Sequence, residues 1–214
     1  TVIDSVPRCR ENGEAGEPAF IEDEIQGLFE VRAGLVGSLD DAVLADPGAH
    51  AVGDRVQVAD DGAGMTAEQA DAAVAELSGG VPVSGDITSE AGTAELTAQL
   101  PSTPDILINN YGTADPGSWR DSSADDWINA YQKNVLSAQR LIRHFLPALR
   151  DRPWGRIINL GTVGSTRPNA RNPHYYAAKG ALATLTISLA KEVSGTNIRV
   201  NLVSPGLILT PEVQ

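Results

Sequence analysis

Tyr175 and Lys179, in the run Tyr175-Tyr-Ala-Ala-Lys179, form the pair in this sequence best suited to exchanging a proton with a carbonyl or alcohol oxygen. A spacing of four places both side chains on one face of a helix. An unperturbed tyrosine has a pKa of about 10 and is a poor base at neutral pH. A lysine cation about 4 Å away, at an effective dielectric of about 20, favours the phenolate by roughly 4 kcal/mol. That brings the phenol into the range of a general acid and base. The competing reading is an ordinary pair on a helix surface. The surrounding elements decide between the two.

From Met65 onward, helix and strand patterns alternate. Thr66-Ala-Glu-Gln69 is a capping box that opens a helix to about Leu77, stopped by Gly79 and Gly80. Val81 to Ser84 reads as a strand, and Thr88 or Ser89 caps the helix that carries Leu96 and Leu100. Asp105-Ile-Leu-Ile-Asn109 is a short apolar run of the kind found in buried parallel strands. Ser123-Ala-Asp-Asp126 opens a long helix whose apolar positions run from Trp127 to Leu149. Arg156 to Leu160 is the next strand. A helix from about Tyr175 to Val193 follows, closed by Gly195, and Asn197 to Val203 is a further strand. This alternation predicts right-handed βαβ units in an α/β fold: a doubly wound, Rossmann-like parallel sheet in three α/β/α layers. Ligands of such sheets bind outside the carboxyl ends of the strands.

The bulk properties restrict the function classes. The chain has 214 residues and a formal charge of -12, which disfavours nucleic acid as a partner. Cys9 is the only cysteine, so no internal disulfide is possible, and His50, His144 and His174 are too scattered for a metal site. No apolar run is long enough to span a membrane, and the first residues lack a secretory pattern, so a cytoplasmic location is expected. Residues 1–26 read as an acidic N-terminal extension and residues 27–214 as one domain.

Further motifs stand in order around the tyrosine: Gly85-Asp-Ile-Thr88, Asn109-Asn-Tyr-Gly112, Asn134-Val135, Gly161-Thr162 and Val203-Ser-Pro-Gly206 with Thr210. With these, residues 55 to 212 resemble the classical short-chain dehydrogenase/reductase family. The resemblance implies an NAD(P)-dependent oxidoreductase that interconverts a ketone and a secondary alcohol. In that role Tyr175 is the general acid/base. Lys179 lowers its pKa and binds the nicotinamide ribose. Asn134 holds a relay water at a local break in its helix. Thr162 stands where the family usually has serine, and keeps the hydroxyl donor that polarises the substrate oxygen. Its methyl group narrows the pocket. Ser165 is a second, less favoured hydroxyl. For the cofactor, the resemblance assigns Asp86 and Ile87 to the adenine, Asn109 and Gly112 to the adenosine, and Pro205, Gly206 and Thr210 to the nicotinamide. Tyr111 replaces the usual alanine, and its ring is expected to crowd the adenosine. The partners implied are a small carbonyl or alcohol substrate and further copies of the chain, as a dimer or tetramer. The contact helices would be the long one after Ser123 and the one carrying Tyr175.

The resemblance weakens toward both ends. The family's Thr-Gly-x-x-x-Gly-x-Gly turn lets the backbone approach a diphosphate at a helix N-terminus. Its best placement here begins at Arg32 and leaves only Gly37, with Ala33 and Leu39 at the other two glycine positions. Asp60, at the end of the strand Arg55 to Ala59, is placed to accept from a ribose 2′-hydroxyl, which favours NAD with NADP still possible. A central strand must pair with the strand ending at Asn109, because an open slot would strand a row of backbone groups. Leu28 to Val31 is the expected occupant. The sequence stops at Gln214, and the family's substrate-covering lid and last strand are expected to be missing from it. A catalytically impaired, binding or scaffold relative is the alternative to an enzyme.

Overall fold

The computed structural model describes residues 81–206 and two further strands, β1 (Ala42–Ala45) and β2 (Arg55–Ala59). The remaining elements are β3 (Val81–Ser84), α1 (Glu90–Ala98), β4 (Ile106–Asn109), α2 (Ala124–Tyr131), α3 (Ser137–Arg150), β5 (Gly155–Leu160), α4 (Pro173–Glu192) and β6 (Ile198–Val203). One sheet of six strands has the order β3-β2-β1-β4-β5-β6. The pairs β2–β3, β4–β5 and β5–β6 are parallel. Those parallel pairs, with α2 and α3 connecting β4 to β5 and α4 connecting β5 to β6, make this a Rossmann-like α/β fold.

The central slot is filled, as backbone pairing demands, but by β1 rather than by Leu28–Val31, which lies outside the described residues. β1 also runs antiparallel to both neighbours, with Ala42 opposite Asn109 and Ala45 opposite Ile106 and Arg55. The sheet is therefore parallel except at its centre. Antiparallel pairing satisfies the ladder hydrogen bonds as fully as parallel pairing does, so the slot constrains occupancy and not direction. The capping-box helix expected over residues 66–77 also lies outside the described residues.

Each face of the sheet carries buried apolar side chains, as a doubly wound arrangement requires. Successive side chains alternate between faces. Leu107, Ile157 and Val200 point to the face covered by α1, α2, α3 and α4, where they meet Leu96, Leu141, Phe145, Leu149 and Leu182. Ile108, Ile158 and Leu160 cluster on the opposite face. Full burial of a side chain such as Leu107 or Ile157 contributes about 1.5–3 kcal/mol. Among the described residues no helix is long and apolar enough to cross a membrane, and no His, Cys, Asp or Glu cluster has metal-binding geometry.

The helix starts follow the sequence signals. Ser89 caps α1 by accepting from Gly92 N at 3.0 Å. Ser123 and Asp126 form the predicted capping box of α2, each side chain accepting from the other's backbone N–H. The long helix from Ser123 is one rod broken by a π turn over Gln132–Leu136. Gly92 sits where α1 presses on the turn after β3: a Cβ there would lie 2.2 Å from Asp86 O and 2.8 Å from Asp86 N. Alanine normally stabilises a helix over glycine by about 1 kcal/mol. Here the backbone clash reverses the sign, and Gly92→Ala is expected to destabilise the fold by about 2 kcal/mol. Gly180→Ala in α4, where a Cβ meets nothing within 4 Å, should be stabilising. Chemical denaturation of the two variants measures the contrast.

Candidate active site

Residues following four parallel strands lie along the carboxyl edge of the sheet. β3 delivers Asp86, β4 delivers Asn109 to Gly112, β5 delivers Thr162, and β6 delivers Pro205 and Gly206. Tyr175 and Lys179 enter from the first turns of α4, on one face as their spacing predicts. Lys179 is buried, and its Nζ donates to Leu160 O at 2.8 Å, which pins the ammonium to the end of β5. The same Nζ lies 6.0 Å from the centre of the Tyr175 ring. Three donors belong to a lysine ammonium, and Leu160 O takes one of them.

Asn134 occupies the middle of the π turn. Its Nδ2 donates to Ala130 O and to Thr113 O, each at 3.0 Å. The helix is widened where this side chain competes for backbone acceptors, a distortion that recurs at functional sites. This is the local break expected at that position. Asn134 Oδ1 is buried with no hydrogen-bond partner among the described residues. It faces Gly112 and Lys179: a Cβ on Gly112 would lie 2.3 Å from Asn134 Oδ1 and 3.1 Å from Lys179 Nζ. Gly112 also has φ +153°, so both its backbone and its surroundings require glycine.

Thr162 follows β5 and caps a short 3-10 turn over Val163–Ser165, its Oγ1 accepting from Gly164 N at 3.2 Å. With that acceptor position used, the hydroxyl proton is directed elsewhere. The turn is tied to the end of β6 by Val163 N donating to Pro205 O at 3.2 Å. Ser165, the second hydroxyl, is buried without a hydrogen-bond partner among the described residues. Gly206 borders open space.

One adenosine-side expectation changes. Tyr111 was expected to crowd the ligand channel, but its ring is in the hydrophobic core, turned under the site. The aromatic ring is better accommodated among apolar side chains than at a polar edge. Ile87 is likewise a core side chain, 1% exposed. Asp86 accepts from Thr88 N at 2.8 Å and Thr88 Oγ1 at 2.5 Å, closing the turn into α1. Asn109 donates to Asn159 Oδ1 at 2.8 Å, and Asn159 donates to Thr186 Oγ1 at 2.9 Å. This buried relay braces β4, β5 and α4 together, and sequence reasoning found only its first member. Gly37, Asp60 and Thr210 lie outside the described residues.

The segment after β4 is held down along its length. Lys133 Nζ pairs with Asp115 at 3.0 Å. Partial burial pushes the Asp115 carboxyl upward, but hydrogen bonds from Lys133 and Thr113 and the nearby charges of Lys133 and His174 together hold it below its ordinary value. Asn172 takes hold of Gly117 two residues further on. The Asn172-Pro173 dipeptide, a turn and helix-start signal, marked this position in the sequence.

The direction of β1 affects the diphosphate end. In the family pattern the glycine-rich turn follows the carboxyl end of a first strand that runs parallel to β4. β1 enters at the ligand edge, beside Asn109, and leaves at the opposite edge, beside Ile106. The carboxyl end of β1 is therefore at the edge of the sheet opposite the one that Tyr175 borders.

Fold and site together define a Rossmann-like α/β protein with a Tyr–Lys–Asn cluster at the carboxyl edge of its sheet. Residues 48–214 match the family described as enoyl-(acyl carrier protein) reductase, and the chain belongs to the short-chain dehydrogenase/reductase family. The oxidoreductase YvaG of Bacillus subtilis, itself uncharacterized, is 34% identical over 133 residues, 62% of this chain and 50% of that protein. The 3-oxoacyl-(acyl-carrier-protein) reductase FabG of Pseudomonas aeruginosa is 36% identical over 128 residues, 58% of this chain and 52% of the relative. Among solved structures, L-sorbose reductase from Gluconobacter frateurii, complexed with NADPH and L-sorbose, has a TM-score of 0.66 at 30% identity. That match covers 73% of this chain and 61% of the other. The chain spans about half the length of these curated relatives.

Proposed function

We propose that this chain carries the proton-transfer site of an NAD(P)-dependent oxidoreductase that interconverts a ketone and a secondary alcohol. The observation that carries the proposal is the convergence on Gly112, beside the Tyr175 ring, of Lys179 Nζ and of Asn134 Oδ1, which has no hydrogen-bond partner among the described residues. These residues fit a nicotinamide nucleoside. Lys179 would hold the ribose hydroxyls, Gly112 keeps the approach open, and Pro205 and Gly206 border the ring. When bound, the nicotinamide supplies or accepts the hydride. Tyr175 gives a proton to the carbonyl oxygen in reduction and takes it back in oxidation. Lys179 stabilises the phenolate left behind. Asn134 Oδ1 anchors a water that replaces the proton from solvent. Thr162 donates its hydroxyl hydrogen to the substrate oxygen and polarises it as negative charge builds there.

The substrate class follows the relatives: 3-oxoacyl and acetoacetyl thioester reductases and a sorbose reductase all have names that specify a ketone or its alcohol. The choice of cofactor is between NADH and NADPH. Asp60 favours the former, and the solved relatives bound to NADPH or NADP+ favour the latter. The reading also implies a homo-oligomer through α2, α3 and α4, supported by exposed Ile128 and Tyr131 on α2 and Ile187 on α4. A binding or scaffold role is the second reading, favoured by the reversed direction of β1.

Titration with NADH and with NADPH, followed by nucleotide fluorescence, separates the two readings. The enzyme reading expects saturation by at least one nucleotide and its oxidation on addition of a 3-oxoacyl thioester or a ketohexose. Binding of neither would leave the scaffold reading standing.

A further inference from the structure

Asn172 is the one non-glycine residue with positive φ among the described residues, at φ 52° and ψ 49°. L-residues avoid this left-handed conformation, and asparagine tolerates it better than most. The position has two sets of bonds. Asn172 O accepts from Tyr175 N at 3.1 Å and Tyr176 N at 3.3 Å, forming the first turn of α4. Meanwhile Asn172 N donates to Gly117 O at 3.0 Å and Asn172 Oδ1 accepts from Gly117 N at 3.2 Å. The segment after β4 is thus clasped from both sides to the residue that starts the catalytic helix. Gly117 has no room to move sideways, because a Cβ there would meet His174 Cε1 at 2.4 Å and Ser122 Oγ at 2.5 Å.

We propose that Asn172 is a positioning residue: its two-way clasp on Gly117 sets the first turn of α4 and with it the Tyr175 hydroxyl relative to Gly112, Asn134 and Lys179. The proposal rests on Tyr175 being the acid/base. The segment that Asn172 holds is the same one whose Gly112 and Thr113 contact Asn134. The clasp therefore references Tyr175 to the residues it works beside. Left-handed backbone geometry alone does not explain asparagine here, since glycine would satisfy it with no steric cost. What glycine cannot supply is the Oδ1 acceptor.

Two substitutions separate positioning from folding. Asn172→Gly keeps the backbone conformation and removes the acceptor. Asn172→Asp keeps both, because aspartate also tolerates this conformation and its carboxylate accepts strongly from an N–H. The expectation for Asn172→Gly is a melting temperature within about 3 °C of the parent. Its kcat should fall about tenfold with KM little changed, and Asn172→Asp should restore it. The readout independent of turnover is the Tyr175 ring resonance in protein carrying isotope-labelled tyrosine, assigned by its loss in Tyr175→Phe. It should shift and broaden in Asn172→Gly and return in Asn172→Asp. A parent protein without reductase activity would count against the enzyme reading, and the resonance would still test the clasp. An unaltered resonance in Asn172→Gly, or a parental kcat in that variant, would overturn the proposal. So would failure of Asn172→Asp to restore what glycine removes.

Discussion

Replacing Tyr175 by phenylalanine is expected to lower kcat by about 10³-fold, within the range that a positioned general acid contributes. The substitution deletes one oxygen. The ring keeps its place beside Lys179 Nζ, and Lys179 keeps its bond to Leu160 O. Nucleotide affinity should therefore change by no more than about twofold, because the ribose contacts assigned to Lys179 do not involve the phenol. KM for the ketone should rise only slightly, since the proton is transferred mainly as the transition state forms. Steady-state kinetics paired with a nucleotide titration of the same preparation checks both halves. Retained turnover would mean that another group supplies the proton, and Thr162 or Ser165 would be the first to examine. Lost nucleotide binding would mean that the phenol holds the cofactor and has a different role from the one proposed.

The second large effect is expected at Gly112, which forms no hydrogen bond in the proposed chemistry. Gly112→Ala places a methyl group 2.3 Å from Asn134 Oδ1, well inside contact distance, and 3.1 Å from Lys179 Nζ. Neither neighbour can yield easily. Asn134 is tied to two carbonyls and Lys179 to a third. The φ of +153° adds backbone strain for any residue with a Cβ. We expect kcat/KM to fall by about 10²-fold through misplacement of the site, together with a loss of about 1–3 kcal/mol in stability from overpacking. The diagnostic comparison is with Asn134→Ala, which removes the atom the methyl would strike. If the clash is the cause, the double variant should regain stability relative to Gly112→Ala, and the two effects should not add. Additive losses in stability would place the cost in the backbone conformation alone.

These two residues differ in how legible they were. Tyr175 and Lys179 could be paired from spacing because a helix has a fixed period, and α4 has that period. The Ser123–Asp126 capping box and the apolar strand runs were readable for the same reason: a few neighbouring residues and local backbone geometry determine them. Asn134 at a helix break came from the resemblance, and the π turn is its physical form. The run Gln132-Lys-Asn-Val-Leu136 contains Asn134, whose side chain reaches the local acceptor Ala130 O, but the second acceptor, Thr113 O, arrives from another element. The Asn109–Asn159–Thr186 relay has the same origin. Its members are 50 and 27 residues apart, and only the packing of β4, β5 and α4 brings them together.

The sequence by itself determined the α/β order of the elements, the face of α4 that carries Tyr175 and Lys179, and the need for a strand beside β4. Each of these follows from local periodicity or from the obligation to pair backbone groups. Tertiary structure alone decided which segment fills the central slot and in which direction. A run of four residues satisfies the same ladder either way, and only the neighbours on both sides select among the candidates. It also decided that Tyr111 turns into the core, that Lys179 is fastened to Leu160 O, and that Asn172 clasps Gly117. Those contacts join residues distant in sequence, so no local pattern contains them.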